Sequence, residues 1–511
     1  MSDNSSNNKR IAKNAIYLYL RMAIVMVVTL YTTRVILQNL GVGDYGIYNV
    51  VYGFVTMFTV FNATFTAGIN RYYNYELGQN GLLGVKKVYN VVMRIQTLFA
   101  VIVFFIVEVL GLWYVNNSMV MDGSRILVAN WVFQFSVVSM RFLILQNPFS
   151  SAIMAFEKMD YFAVVSIIDV FLKLAIAIGI AYAPFDRLLF YGTLMASISV
   201  VNFFAYYIYC KRRFSECIKL EKTQDKKIFK DMLKFSGWMS LDPIAYSING
   251  QGINMLLNSF FGTIVNTAFG IANQVGQAID TFCMNLSTAF RPQMVQSYSS
   301  GEKQRSLRLF SSMTKISYLL FLLIAVPFCL NIEYIYNLWL GDTYPAIAIP
   351  LSILFIVVKM VGCINHPVSY IIMAKGSLKK YMITTCFITS SILIIAYPLL
   401  YMGFSAQSVF VAMFVISVIN QIASVKILSI EIPEISQSVY YKKIGVHCVL
   451  LTIIVTFIVF GVHSILGNGL LRLIVDFVIS AVTTLLSSYF ICMDDAEKAI
   501  FISIIKIIIH K

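Results

Sequence analysis

Lys13–Val51, KNAIYLYLRMAIVMVVTLYTTRVILQNLGVGDYGIYNVV, is the stretch on which the reading of the whole 511-residue chain turns. It opens with cationic residues, becomes a long apolar run and closes in the short turn Gly41-Val42-Gly43-Asp44, after which a second apolar run starts at Tyr45. The first run is long enough to cross a hydrocarbon core, which takes about 20 helical residues. It nevertheless carries Arg21 part-way along and Arg34 near its far end. A cation in such a segment is costly and normally faces protein or a water-filled cavity. Arg34 is close enough to the far end to extend its guanidinium into the interface. Arg21 lies deeper, so it is the stronger candidate for a functional cation.

The composition agrees with that opening. The chain is 59% hydrophobic and only 12% charged, with a mean hydropathy of +0.77; an ordinary soluble domain is about 25% charged. Apolar runs of spanning length recur throughout, which predicts an all-α, polytopic integral membrane protein. The net charge of +15 would suggest nucleic acid in a soluble chain. Here the Lys and Arg residues sit between apolar runs, where they set topology and meet anionic lipid heads, so no nucleic-acid partner is expected. The eight cysteines, at 210, 217, 283, 329, 363, 386, 448 and 492, form no close pair and fall mostly in apolar runs. They read as small core hydrophobes, with no metal site or disulfide framework. The first run is too long for a signal-peptide core and should stay as a helix.

Measured against ~20-residue spans, the chain predicts about fourteen helices, at 14–38, 46–69, 90–115, 125–149, 161–183, 188–210, 236–261, 266–290, 310–333, 346–371, 380–402, 406–430, 444–466 and 470–492. With the amino terminus inside and sides alternating, 29 of the 39 cations fall in inward segments and three, Arg125, Arg187 and Arg472, in outward ones. Seven lie within or at the ends of spans: Arg21, Arg34, Arg94, Arg141, Lys173, Arg291 and Lys359. One missed span in the middle would destroy that asymmetry, so both termini are expected to be cytoplasmic. A basic loop at 211–235 divides the chain into lobes at 14–210 and 236–430, preceded by a tail at 1–13. The lobes are followed by an extra helix pair within 431–492 and a tail at 493–511, whose end, IFISIIKIIIHK, has the pattern of a surface-lying amphipathic helix. Within the second lobe, Ala268-Phe269-Gly270-Ile271-Ala272-Asn273 loosely echoes Asp44-Tyr45-Gly46-Ile47-Tyr48-Asn49, as in transporters that repeat a helical unit around their substrate.

Polar residues line up inside two spans. Asn273, Gln277, Asp280, Ser287 and Arg291 share one face of helix 266–290 and its continuation, and Ser247, Gln251, Asn254 and Asn258 share one of helix 236–261. Such stripes cannot face lipid cheaply. They either hydrogen-bond helices together or line a wet cavity, and two consecutive full-length stripes favour the cavity. Asp169 and Lys173, four apart on helix 161–183, form either an internal ion pair or a site that couples transport to an ion. Lys359 lies mid-span, with His366 and Pro367 nearer one end, and the histidine reads as structural. Glu108, Asp242 and Asp476 lie near span ends and are expected to reach the interface. No Walker P-loop, His/Cys cluster or nucleophile elbow occurs, so no enzymatic activity is expected.

The basic tail, the arginine-bearing first span and then TRVILQNLGVGDYGIYNVV resemble the start of the Wzx-type polysaccharide (O-antigen) flippases. These belong to the MOP superfamily with the MATE exporters and the MurJ-type lipid II flippases. The resemblance implies two six-helix, MATE-like lobes around a cavity that opens alternately to either side, plus a C-terminal helix pair. It implies as substrate an oligosaccharide on undecaprenyl pyrophosphate, flipped across the bacterial cytoplasmic membrane. Arg21, Arg291, Arg141 and Lys359 would then hold the anion, and Asn273, Gln277, Gln251 and Asn254 the sugars. Asp169, Lys173 and Asp280 would couple transport to H+ or Na+, with no cofactor. Membrane lipids and other polysaccharide assembly proteins are the remaining expected partners. A MATE-like ion-coupled exporter of small molecules is the alternative; those proteins generally have two spans fewer.

Overall fold

The computed structural model describes all residues except 1, 59, 157, 220, 222–225, 300, 376–377, 494–496 and 499–511. The described residues are helical, with short connections. In chain order the helices are α1 (Ser2–Met57), α2 (Val60–Asn117), α3 (Ile126–Ala155), α4 (Met159–Gly179), α5 (Arg187–Arg213), α6 (Lys226–Phe261) and α7 (Thr263–Ser299). They continue with α8 (Lys303–Leu330), α9 (Ile332–Leu340), α10 (Ala348–Lys375), α11 (Leu378–Tyr401), α12 (Ala406–Glu431), α13 (Gln437–Tyr440), α14 (Val446–Ile465) and α15 (Leu470–Ile491). A wide turn, Tyr441–Gly445, carries α13 into α14.

Eleven stretches among the described residues are long and apolar enough to cross a membrane. Their outward faces are bare of polar cover. On α2, Leu98, Val101, Phe105, Val109 and Trp113 are each exposed by 47% or more, and an aqueous surface does not tolerate so continuous an apolar ridge. The chain is a multi-pass integral membrane protein. The striped helices α6 and α7 are not among the eleven, although 36 and 37 residues amply exceed the ~20 a span requires. Their inward polar faces lower the hydropathy.

The opening stretch turns where the sequence places its glycines. Gly41 has φ 80° and ψ 170°, splitting α1 into two helices, and that left-handed backbone favours a residue without Cβ. One boundary differs from expectation. The span predicted at 46–69 is interrupted, because α1 ends at Met57 and α2 begins at Val60. The helix resumes and continues to a second break at Gly81, with φ 60°. Across 57–60 only Thr59 interrupts the apolar composition, so hydropathy carried little signal for the break.

The described residues form two compact units, 1–270 with 339–345, and 271–338 with 346–511. In the first, α2 packs on α3, α3 on α5 and α1 on α4, and α6 packs against α1 and α2. Asparagine side chains bind α6 there. Asn254 donates to the Asn49 carbonyl at 3.3 Å, Asn266 donates to the Asn254 carbonyl and side chain at 2.7 and 2.8 Å, and Asn258 donates to Asn266 at 2.8 Å. This end of the α6 stripe therefore joins helices, as interhelical asparagine hydrogen bonds do in hydrocarbon. In the second unit α10 packs on α12 and α8, α11 on α12, and α15 on α8 and α14. All eight cysteines are free, six of them fully buried. One acid behaves unlike the expectation of an interfacial position. Asp476 is 0% exposed, because its helix turns that face towards α8 and α14. Glu108 is met by Gln134, which donates to it at 3.0 Å. The predicted tail helix falls mainly on residues outside those described.

Candidate functional site

Two polar centres lie within the spans, one in each compact unit. The first is built by α1, α4 and α5. Phe162, Ser166, Asp169 and Lys173 recur at four- and three-residue intervals on α4, so they share one face. Asn202, Tyr206 and Tyr209 do the same on α5. The guanidinium of Arg21 lies over the Phe162 ring, 4.8 Å from its centroid. Such stacking is favourable, and more so where water is excluded. The Arg21 Nε is buried and has no hydrogen-bond partner among the described residues. Beyond Phe162 the aromatic wall continues. Tyr206 is 6.5 Å from Phe162, Tyr161 meets Tyr206 edge-on at 6.1 Å, and Tyr209 stacks on Tyr161 at 3.7 Å.

Farther along the same α4 face, Lys173 Nζ is 2.7 Å from Asp169 Oδ2. Asn202 donates to the other carboxylate oxygen at 2.6 Å. Asp169 is therefore held on both oxygens, and the two charges cancel. Lys173 keeps 39% of its side chain exposed, so the pair is not sealed from its surroundings.

The second centre lies between α7 and α10. Asp280 Oδ2 accepts from Lys359 Nζ at 3.1 Å, and His366 Nε2 is 3.4 Å from Asp280 Oδ1. Asp280 and Lys359 are 8% and 9% exposed, whereas His366 keeps 30%. The local sequence makes room for this. A Cβ on Gly276, one turn before Asp280, would lie 2.4 Å from the Phe355 ring and 3.6 Å from Lys359 Cγ. A bare glycine lets the α10 side chains nest against α7. Lys359 Nζ also lies 5.5 Å from the Phe355 ring centroid. The buried acid and the fixed cation cancel, and the partly accessible imidazole is the member of the cluster that meets its surroundings.

The remaining sequence candidates are dispersed. Asn273 and Gln277 are half-buried on the Asp280-bearing side of α7, and the Gln277 carbonyl accepts from Thr281. Gln251 accepts from Asn254 at 3.4 Å, next to the asparagine network described above. Arg141 is exposed on α3. The side chain of Arg291 lies outside the described residues. Sequence reasoning treated Lys359, Asp280 and His366 separately, yet Lys359 and His366 are seven apart, two helical turns on one face. It also missed Phe162 as the seat of Arg21 and Asn202 as the second partner of Asp169. No group of three or more His, Cys, Asp or Glu residues suited to a metal occurs among the described residues.

Comparison with known proteins separates fold from family. No model of a known protein family matches the sequence, and no curated relative does. Solved structures do match. The lipid II flippase MurJ, in its inward closed conformation, superposes with a TM-score of 0.67 and 13% identity, covering 94% of this chain and 98% of that one. A multidrug resistance MATE transporter of the MOP superfamily, inward-facing, gives 0.65 and 14%, covering 81% and 98%. A MOP superfamily transporter from Pyrococcus furiosus, described by the reverse polarity of its binding pocket, gives 0.58 and 15%, covering 82% and 96%. The fold of this chain is therefore the one seen in the MATE transporter and in the flippase MurJ.

Proposed function

We propose that the protein flips an oligosaccharide carried on undecaprenyl pyrophosphate across the bacterial cytoplasmic membrane, by alternating access of two six-helix lobes. The observation that carries this reading is Arg21. A guanidinium is held against an aromatic wall of α4 and α5, with its Nε unmatched by any acceptor among the described residues. A planar, permanently charged fork suits the paired oxygens of a pyrophosphate, and the flanking tyrosine and phenylalanine rings suit sugar faces. Arg291 would supply the corresponding cation in the second lobe. The extent of the fold supports a lipid-linked substrate. MurJ matches 94% of the chain and the MATE transporter 81%, a difference close to the length of the α13–α15 stretch. The excess of cations between apolar runs supports cytoplasmic termini.

The alternative, a MATE-like ion-coupled exporter of small molecules, draws on Asp280, Lys359 and His366. The same cluster would serve a flippase as its coupling site for H+ or Na+, so it does not separate the two. Arg21 does. In a strain lacking its own flippase, Arg21→Ala protein that inserts normally should fail to restore surface polysaccharide. Arg21→Lys, which keeps the charge but loses the fork, should restore part of it. Full restoration by Arg21→Ala would remove the pyrophosphate assignment.

A further inference from the structure

The extra helices carry a titratable centre that the transport reading does not use. Asp476 lies six residues into α15, roughly 9 Å along the helix at 1.5 Å per residue, and its side chain is wholly buried. Its Oδ2 accepts from Asn331 Nδ2 at 2.7 Å and lies 2.7 Å from His463 Nδ1. Its Oδ1 is buried and has no partner. Asn331 follows α8, His463 is near the end of α14, and so one carboxyl joins three chain segments.

The charges around it are few. The side chains that reach Asp476 are Asn331, just past α8, and His463 of α14, while Glu333 at the start of α9 is exposed. From α15 itself Arg472 stops short: its Nε donates to Asn331 Oδ1 at 3.3 Å and its Nη2 to Asn468 Oδ1 at 2.7 Å. A carboxylate with two donors on one oxygen and none on the other is poorly compensated in a bundle that faces lipid. The imidazole is the one contacting group that can bring it a charge. His463 is 16% exposed and lies next to the turn at 466–469, which gives its ring an edge towards water.

We propose that Asp476 and His463 form a proton-binding site in the accessory helices, distinct from the Asp280 cluster. Loading takes one proton from water onto the imidazole and converts a lone buried carboxylate into an imidazolium–carboxylate pair. Release returns the Nε2 proton to water and leaves the carboxylate with two neutral donors, Asn331 and the Nδ1–H of the imidazole. Because the carboxyl bridges α8, α14 and α15, the loaded state holds these helices together more firmly than the empty one. The ligand class is the proton, and its loading makes the packing of the helix pair depend on pH.

The test uses the full-length protein in lipid nanodiscs, with thermal unfolding midpoints measured from pH 5.5 to 8.5. His463→Gln keeps a neutral donor of similar size and cannot titrate. Asp476→Asn removes the charge, and the double variant closes the cycle. Proton uptake by the folded state stabilises it at the low-pH end. The wild-type midpoint should therefore exceed that of His463→Gln at pH 5.5, with the excess shrinking by about 2 °C or more by pH 8.5. In the Asp476→Asn background the same histidine change should leave no pH-dependent excess. His366→Gln, at the other cluster, should act additively with His463→Gln. If Asp476→Asn does not fold, the pH trend of the wild-type excess over His463→Gln decides alone. An excess that stays constant with pH would overturn the proposal and leave His463 as a plain hydrogen-bond donor. A pH-dependent excess that survives Asp476→Asn would overturn the assignment to this pair.

Discussion

Neutralising Lys359 alone is the most informative single change in the Asp280 cluster. Lys359→Met preserves the stem that packs beside Gly276 and removes the charge 3.1 Å from Asp280. Both partners are about nine-tenths buried, so little water is available to replace the ammonium. Stranding one partner of a buried pair costs about 3–5 kcal/mol. His366 is 3.4 Å from the other oxygen and partly exposed, so as a hydrogen-bond donor it should recover part of that loss. The expected cost therefore lies toward the lower end, about 3 kcal/mol. Removing both charges, in Asp280→Asn with Lys359→Met, should return stability to within about 1 kcal/mol of wild type, because no uncompensated charge remains. Chemical unfolding in detergent measures each leg of the cycle, and transport by the same proteins gives a second readout. A single-variant loss below about 1 kcal/mol would refute the burial argument. A double variant that folds and transports at the wild-type rate would show the pair to be structural and remove it from coupling.

Three further outcomes follow from the geometry. Neutralising Asp169 or Lys173 singly should lower folded yield by less than the Asp280 changes, since Lys173 is 39% exposed and half-exposed pairs are screened; a folded but inactive double variant would assign the pair to coupling. Gly276→Val should destabilise by about 1–3 kcal/mol, because its Cβ would sit 2.4 Å from the Phe355 ring, and an unchanged unfolding curve would refute the nested contact. Outside the spans, Arg125 ties Asp186 to Asp44, and Asp186 accepts from Leu189 at the start of α5. Burial raises the Asp186 carboxyl, but the hydrogen bond and charge of Arg125 outweigh it and hold the group below its ordinary 3.8. A depressed acid stabilises the fold above that value, and the contribution is lost as pH falls through the folded one. Arg125→Gln should therefore flatten the acid limb of the stability profile below about pH 4, and an unaltered limb would refute the clamp.

Much of the fold could be read from runs of apolar residues. Helix after helix in hydrocarbon must satisfy its own backbone, so length and hydropathy translate directly into spans. That logic failed between Met57 and Val60, where α1 ends and α2 begins without a glycine or proline to mark it. The candidate sites were less legible. Asp280, Lys359 and His366 were each visible as anomalies in apolar helices, but their meeting depends on how α7 packs on α10. The clue was Gly276, whose missing side chain admits Phe355 and Lys359. Asp476 was misjudged because distance from a span end was used as the measure of burial. What decides burial is which neighbour the face meets, and here α8 and α14 cover it completely. The α6 stripe looked like a cavity lining, yet Asn254 and Asn258 bond to Asn266.

The central claim is that the substrate is a lipid-linked pyrophosphate. Purified protein in proteoliposomes, loaded with undecaprenyl-pyrophosphate oligosaccharide on the inner leaflet, tests it directly through the rate at which an impermeant glycosidase outside gains access to the sugar. The account predicts access faster than in protein-free vesicles, reduced to that background by Arg21→Ala and partly retained by Arg21→Lys. Background access with wild-type protein, together with ion-driven efflux of a cationic dye from the same vesicles, would contradict it and establish the exporter reading instead.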